Sequence, residues 1–311
     1  MEFKEIYRTI ENGIRKVYDS DRYQDYLKTM ARFHNYSTNN CLLIFSQCPD
    51  ATLVAGYQKW RMQFHRYVRK GEKGIRILAP MRNVVEEGEE VFTGEPMFKY
   101  ISVFDISQTE GEPLPTYIDA TLEGKVKDYD QFLQQLELIS PVPVKFSSNT
   151  GNASGYYRSG EEVIYLKQGM SELHTIKTLL HEMAHALLHN RELGGMQMSR
   201  SQKEVEAESV AYIICQHFGL DTSEYSFPYL AGYSSSSELP ELRESINRIH
   251  TASKTLIRQL ESLRNPDTIL RSPPDIREQI VDEILGAERH RKEISFEQIK
   301  NIGGLTYGSE T

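Results

Sequence analysis

The spacing of apolar positions divides the first hundred residues into helices followed by strands. In MEFKEIYRTIENGIRKVYDS, Ile6, Ile10, Ile14 and Val17 recur at helical intervals, and RYQDYLKTMARFHNYS continues with Tyr26, Met30 and Phe33 before polar residues interrupt it. Ser37 is placed to cap a further helix, TNNCLLIFSQC, which Pro49 ends. The spacing predicts another helix from Gln58 to Tyr67. GIRILAP, NVVEEGEEVFTG and MFKYISVFDIS then alternate, or run β-branched and aromatic, between Gly and Pro turns, and predict a small antiparallel sheet.

From 108 to 126, QTEGEPLPTYIDATLEGKV is rich in Gly, Pro and acid and has no sustained period, so it reads as a linker between domains at 1–107 and 127–265. Beyond it, a short helix from Tyr129 to Leu138 precedes three strands, VPVKF, SGYYRS and EVIYL, the last a candidate edge strand. A helix capped by Ser171 follows, with Leu173, Ile176, Leu180, Met183 and Leu187 every three or four positions. Two more helices are expected, around 203–218 and 239–264. Residues 266–311 contain SPP, a charged helix candidate near 276–292 and a Gly-rich end, and read as a loosely attached appendage. The expected fold class is α+β.

Composition adds bounds. A chain of 311 residues with 39% hydrophobic content and a formal charge of -8 has room for two cores of ordinary size. No apolar run approaches membrane-spanning length and the first residues are charged, which points to the cytoplasm. Cys41, Cys48 and Cys215 form no C-x-x-C pair and read as reduced thiols within the core.

The net acidity conceals a basic block: Lys59, Arg61, Arg66, Arg69, Lys70, Lys73, Arg76 and Arg82 face only Glu72. Tyr57, Trp60, Phe64 and Tyr67 interleave with it, the mixture by which cations track phosphates while aromatic faces stack on bases of single-stranded nucleic acid. Tyr57, Trp60, Arg61, Arg66, Arg69, Lys70 and Lys73 are therefore candidate contacts. The aromatic spacing also fits one buried helical face, which leaves the cations as the stronger part of this reading.

The chemistry concentrates in LLHEMAHALLHN. His181 and His185 lie one helical turn apart and can aim both imidazoles at one ion, with Glu182 beside them to take a proton from metal-bound water. His189 is two turns from His181, roughly 12 Å along the axis, too far to share that ion, and is expected to be structural or an outer partner. A third ligand is needed, and the next helix, QKEVEAESVAYIICQHFG, offers Glu204, Glu206 and Glu208. Glu204 and Glu208 share a face and Glu206 points away. That geometry suggests Glu204 on the metal, Glu208 accepting the N–H of a ligand histidine, and Glu206 as the weakest candidate. Tyr229 and Tyr233 are placed to donate to an oxyanion, but half-buried loop aromatics explain them more simply.

LLHEMAHALLH followed by KEVEAESVAY resembles the H-E-x-x-H and E-x-x-A pattern of ImmA/IrrE-type zinc metallopeptidases and the second half of ArdC-type antirestriction proteins. FHNYSTNNCLLIFSQCPDATLVAGYQKW, VRKGEKGIRILAP and VFDISQTEG look like the N-terminal single-stranded-DNA-binding domain of the same proteins. The resemblance implies a compact zincin with His181, His185 and Glu204 on Zn2+ and Glu182 as catalytic acid and base. It further implies binding of single-stranded DNA that enters a cell by conjugation, and protection of that DNA from restriction. A peptide substrate would then join an edge strand over the cleft. The alternative is a non-enzymatic DNA-binding antirestriction module in which zinc is only structural.

Overall fold

The computed structural model describes residues 3–18, 20–80, 98–114, 128–190, 193, 195, 197–222, 225–264, 277, 279–281, 283 and 284. NVVEEGEEVFTG and most of the proposed linker lie outside them. The fold is α+β, as expected. Helices α1 (Phe3–Val17), α2 (Ser20–Arg32) and α3 (Thr38–Gln47) open the chain, and the Ser37 side chain caps α3 by accepting the Asn40 N–H. Then come β1 (Val54–Gly56), α4 (Tyr57–Met62), β2 (Arg66–Val68), β3 (Ile75–Pro80), β4 (Phe98–Asp105) and, after a 3-10 turn at Ile106–Gln108, β5 (Thr109–Gly111). An antiparallel sheet has the order β1-β4-β3, and β2 pairs with β5 alongside it. Asp105 ties these parts together by accepting the N–H groups of Thr52, Leu53 and Ser107.

Two expectations change here. The helix foreseen over 58–67 stops at Met62, because the chain reverses through His65, at φ 51°, and Tyr67 lies on β2. The first residues of the linker foreseen from 108 belong to the fold instead, since Thr109–Gly111 pairs with β2.

The second half comprises α5 (Tyr129–Ile139), β6 (Val144–Ser147), β7 (Gly155–Arg158), β8 (Val163–Lys167), α6 (Glu172–Leu188), α7 (Arg200–His217), α8 (Leu230–Ser236) and α9 (Leu239–Arg264). Strand β8, expected at an edge, is central: β6 pairs with it in parallel and β7 antiparallel. Ile164 and Leu166, both fully buried, show why, since alternate side chains of β8 are sealed beneath α6. The strand beside the candidate cleft is β7. A Cβ on Gly155 would stand 2.6 Å from Thr178 Cγ2, so a glycine is what lets β7 lie this close to α6.

The described residues hold one continuous apolar cluster, from Ile10 to Ile284, where composition suggested two cores. Helix α9 joins the halves, packing on α1 and α3 as well as α5, α6 and α7. Tyr18 donates its hydroxyl to the Leu242 carbonyl, Tyr23 and Ser209 hydroxyls lie 2.7 Å apart, and Gln24 donates to the Tyr225 carbonyl. The segment near 276–292 is also less loose than foreseen: its described residues are helical and seat Ile280 and Ile284 in this cluster. No helix among the described residues is long and apolar enough to cross a membrane.

Candidate metal centre and nucleic-acid face

Two serine-capped helices build the centre. Ser171 caps α6 through His174 N–H and Ser199 caps α7 through Gln202 N–H. Apolar faces press the helices together, bringing their polar residues into opposition. The Nε2 atoms of His181 and His185 lie 3.0 Å apart, and Glu204 Oε2 stands 3.5 and 3.9 Å from them. One ligand atom from each of the three residues falls within a 4.8 Å group. Glu208 Oε2 is 3.0 Å from His181 Nδ1, the outer position foreseen for it. His189 stays outside the group, its Nδ1 2.8 Å from His185 Nδ1. Its Nε2 is 3.3 Å from Glu206 Oε2.

The proton arrangement tests whether these residues suit a cation. A carboxylate only accepts, so His181 carries its proton on Nδ1 toward Glu208, and His189 carries its own on Nε2 toward Glu206. His189 Nδ1 then accepts from His185 Nδ1. Both inner Nε2 atoms are left as lone pairs facing each other and the Glu204 carboxylate. Three acceptors at one point need a proton or a cation among them, and two imidazoles with a carboxylate are a donor set that divalent ions take.

Electrostatics follows the same geometry. Burial opposes charge on His181, but Glu204 and Glu208 outweigh it and lift its pKa to about 10. Burial, with the neighbouring imidazoles, pushes His185 down to about 2. Glu182 is buried, 8% exposed, and burial raises its carboxyl above the usual range. Its Oε2 accepts the backbone N–H of Tyr157 on β7.

A cavity of about 430 Å³ opens beside His181 and Glu182, lined also by Gly155, His174, Lys177, Glu208 and Tyr225. Tyr225 escaped sequence reading because it sits in the irregular loop after α7, where no period marks it. Of the two tyrosines after α7 that could face an oxyanion, Tyr233 is core, packed edge-on against Tyr18, and Tyr229 is 40% exposed.

The basic block divides on inspection. Trp60, a candidate stacking residue, is fully buried and donates its indole N–H to the Phe104 carbonyl, so it is a core residue. Arg66 donates to Thr109, Gly111 and Glu112 and pins β2 to β5; Arg69 donates to Glu72 and to the Ser107 carbonyl. These arginines hold the fold as well as carrying charge. Tyr57 and Tyr67, 50% and 55% exposed, and Arg61, Lys70 and Lys73 remain at the surface.

Fold and site together define a class: an α+β protein whose second half has a metallopeptidase-like fold. Residues 3–104 match the N-terminal domain of the anti-restriction factor ArdC, and residues 143–218 match the IrrE N-terminal-like domain, a peptidase family. The chain is thus an ArdC-type protein. Crystal structures of antirestriction protein ArdC from the R388 plasmid share this fold in both a metal-free and an Mn(II)-bound form. For each the TM-score is 0.50 at 19% identity; coverage is 73% of this chain and 84% of the metal-free one, 75% and 86% for the other. An uncharacterized protein of Bacillus anthracis is 28% identical over 99% of this chain, which spans 58% of that relative's length.

Proposed function

We propose that this chain binds single-stranded DNA through its N-terminal half, hydrolyses peptide bonds at His181, His185 and Glu204, and serves antirestriction for a mobile element in the cytoplasm. The reading is carried by one observation: two Nε2 lone pairs and a carboxylate converge with Glu182 beside them and a cavity in front. A divalent ion there, zinc in our reading, would supply Lewis acidity. Glu182 is the proton acceptor for the attacking water and returns that proton to the leaving amine. Its burial beside β7 keeps bulk water away and raises its proton affinity toward that task. Glu208 fixes the tautomer of His181. The Mn(II) in the ArdC structure supports a divalent ion, and the ArdC domain match supports DNA as partner.

One observation favours a second reading. Glu182 already holds β7 through Tyr157, a tie that a purely structural residue would also make. Under that reading the ion staples α6 to α7, and antirestriction rests on DNA binding alone. Metal analysis of the intact protein, with a peptidase assay on unfolded protein substrates with and without single-stranded DNA, separates the two. Cleavage that Glu182→Gln abolishes while the ion stays bound supports the enzyme. Absent cleavage, with antirestriction unchanged in Glu182→Gln, supports the staple.

A further inference from the structure

Behind the metal-binding group lies a charged chain that the proposed reaction does not use. Glu206 is fully buried, and Arg248 on α9, itself 6% exposed, grips it: Nη2 donates to Oε1 at 2.7 Å and Nε approaches both oxygens at 3.2 Å. Gln202 Nε2 also donates to Oε1. The second oxygen, besides Arg248 Nε, also faces His189 Nε2, and His189 Nδ1 meets His185 Nδ1. Four residues from α6, α7 and α9 therefore form one line that ends at a candidate ligand.

We propose that His189, held by the Glu206 and Arg248 pair, is a positioning residue that fixes the tautomer of His185 so that its Nε2 lone pair faces His181 and Glu204. This rests on the reading of His181, His185 and Glu204 as metal ligands. A ligand histidine ordinarily gives its outer N–H to a carboxylate or a carbonyl. Here the acceptor is a neutral imidazole, which could as easily be a donor. Only a partner that accepts and never donates can decide which, and an ionised Glu206 is such a partner. Arg248 Nε and Nη2 and Gln202 Nε2 already donate to its two oxygens, so toward His189 Nε2 it is an acceptor too. Arg248 thus acts at the site through Glu206, although it lies outside both matched regions.

His189→Leu removes the acceptor and His189→Asn restores one close to the position of Nδ1. Imidazole 15N spectra of the ion-free proteins report the tautomer of His185, and calorimetric titration with Mn(II) and Zn(II) alone reports affinity. The parent and His189→Asn should show His185 protonated on Nδ1; His189→Leu should show a tautomer mixture and bind both ions roughly 10- to 100-fold more weakly. His189→Met, an unbranched apolar replacement, carries the same comparison if the leucine variant does not fold. A single unchanged tautomer with parental affinity in the apolar variant overturns the proposal. If the parent binds neither ion, the ligand reading fails by itself, and the tautomer signal still decides whether His189 sets the orientation of His185.

Discussion

Glu182 Oε2 accepts the backbone N–H of Tyr157 at 2.8 Å, joining the residue beside the candidate metal group to the edge strand of the sheet. Glutamine keeps an oxygen for this bond and leucine does not. Glu182→Gln should therefore melt within a degree or two of the parent. Glu182→Leu should lose about 1 to 3 kcal/mol, the usual cost of orphaning a buried donor. Thermal unfolding and a peptide-cleavage assay check this together, with cleavage absent in both variants.

His250, buried on α9, lies away from the metal group. Burial, with Lys254 close by, lowers its pKa from 6.5 to about 3, and its Nε2 has no partner. The folded state takes up its proton less readily than the unfolded chain, so the stability it gives is complete above 6.5 and drains away as pH falls toward 3. His250→Leu should flatten that acid limb by about one proton, read as the slope of unfolding free energy against pH.

A Cβ on Gly195 would stand 2.1 Å from the His189 carbonyl oxygen and 2.6 Å from that of Asn190. Both are backbone atoms and cannot swing aside. Gly195→Ala should destabilise the fold by roughly 1 to 3 kcal/mol and weaken divalent-ion binding, because the displaced residue is His189. Chemical denaturation and ion titration on one preparation test it.

In the N-terminal half, Arg61→Glu with Lys70→Glu and Lys73→Glu should weaken binding of a single-stranded oligonucleotide and reduce its salt slope, without lowering the melting temperature. Trp60→Ala should behave in the opposite way, costing about 3 to 5 kcal/mol as a core truncation. Fluorescence anisotropy at several salt concentrations, alongside melting curves, distinguishes surface contacts from core support.

How far the chain could be read depended on whether local spacing or distant packing decided a feature. Ser37 and Ser171 announce their helices because capping is a local bond, and H-E-x-x-H shows itself because one helical turn aligns it. That Glu206 points away from Glu204 was also legible from helix angles, but not its purpose, since Arg248 is 42 residues away. Trp60 misled because interleaved aromatics and cations look alike whether the ring faces a base or the Phe104 carbonyl. Strand β8 was misplaced because pairing order in a sheet is a long-range choice: β6 and β7, consecutive in the chain, pair with β8 from opposite sides and not with each other.

The Tyr18 contact with Leu242 joins residues 224 apart in sequence, and Gln24 reaches Tyr225 across 201. A ribosome adding about 5 to 20 residues per second leaves the side of α1 that packs on α9 uncovered for roughly 10 to 45 s before α9 emerges. Newborn chains therefore pass through an adhesive stage, so the yield of native protein in a cell depends on how quickly translation proceeds and on chaperones that shield that first helix.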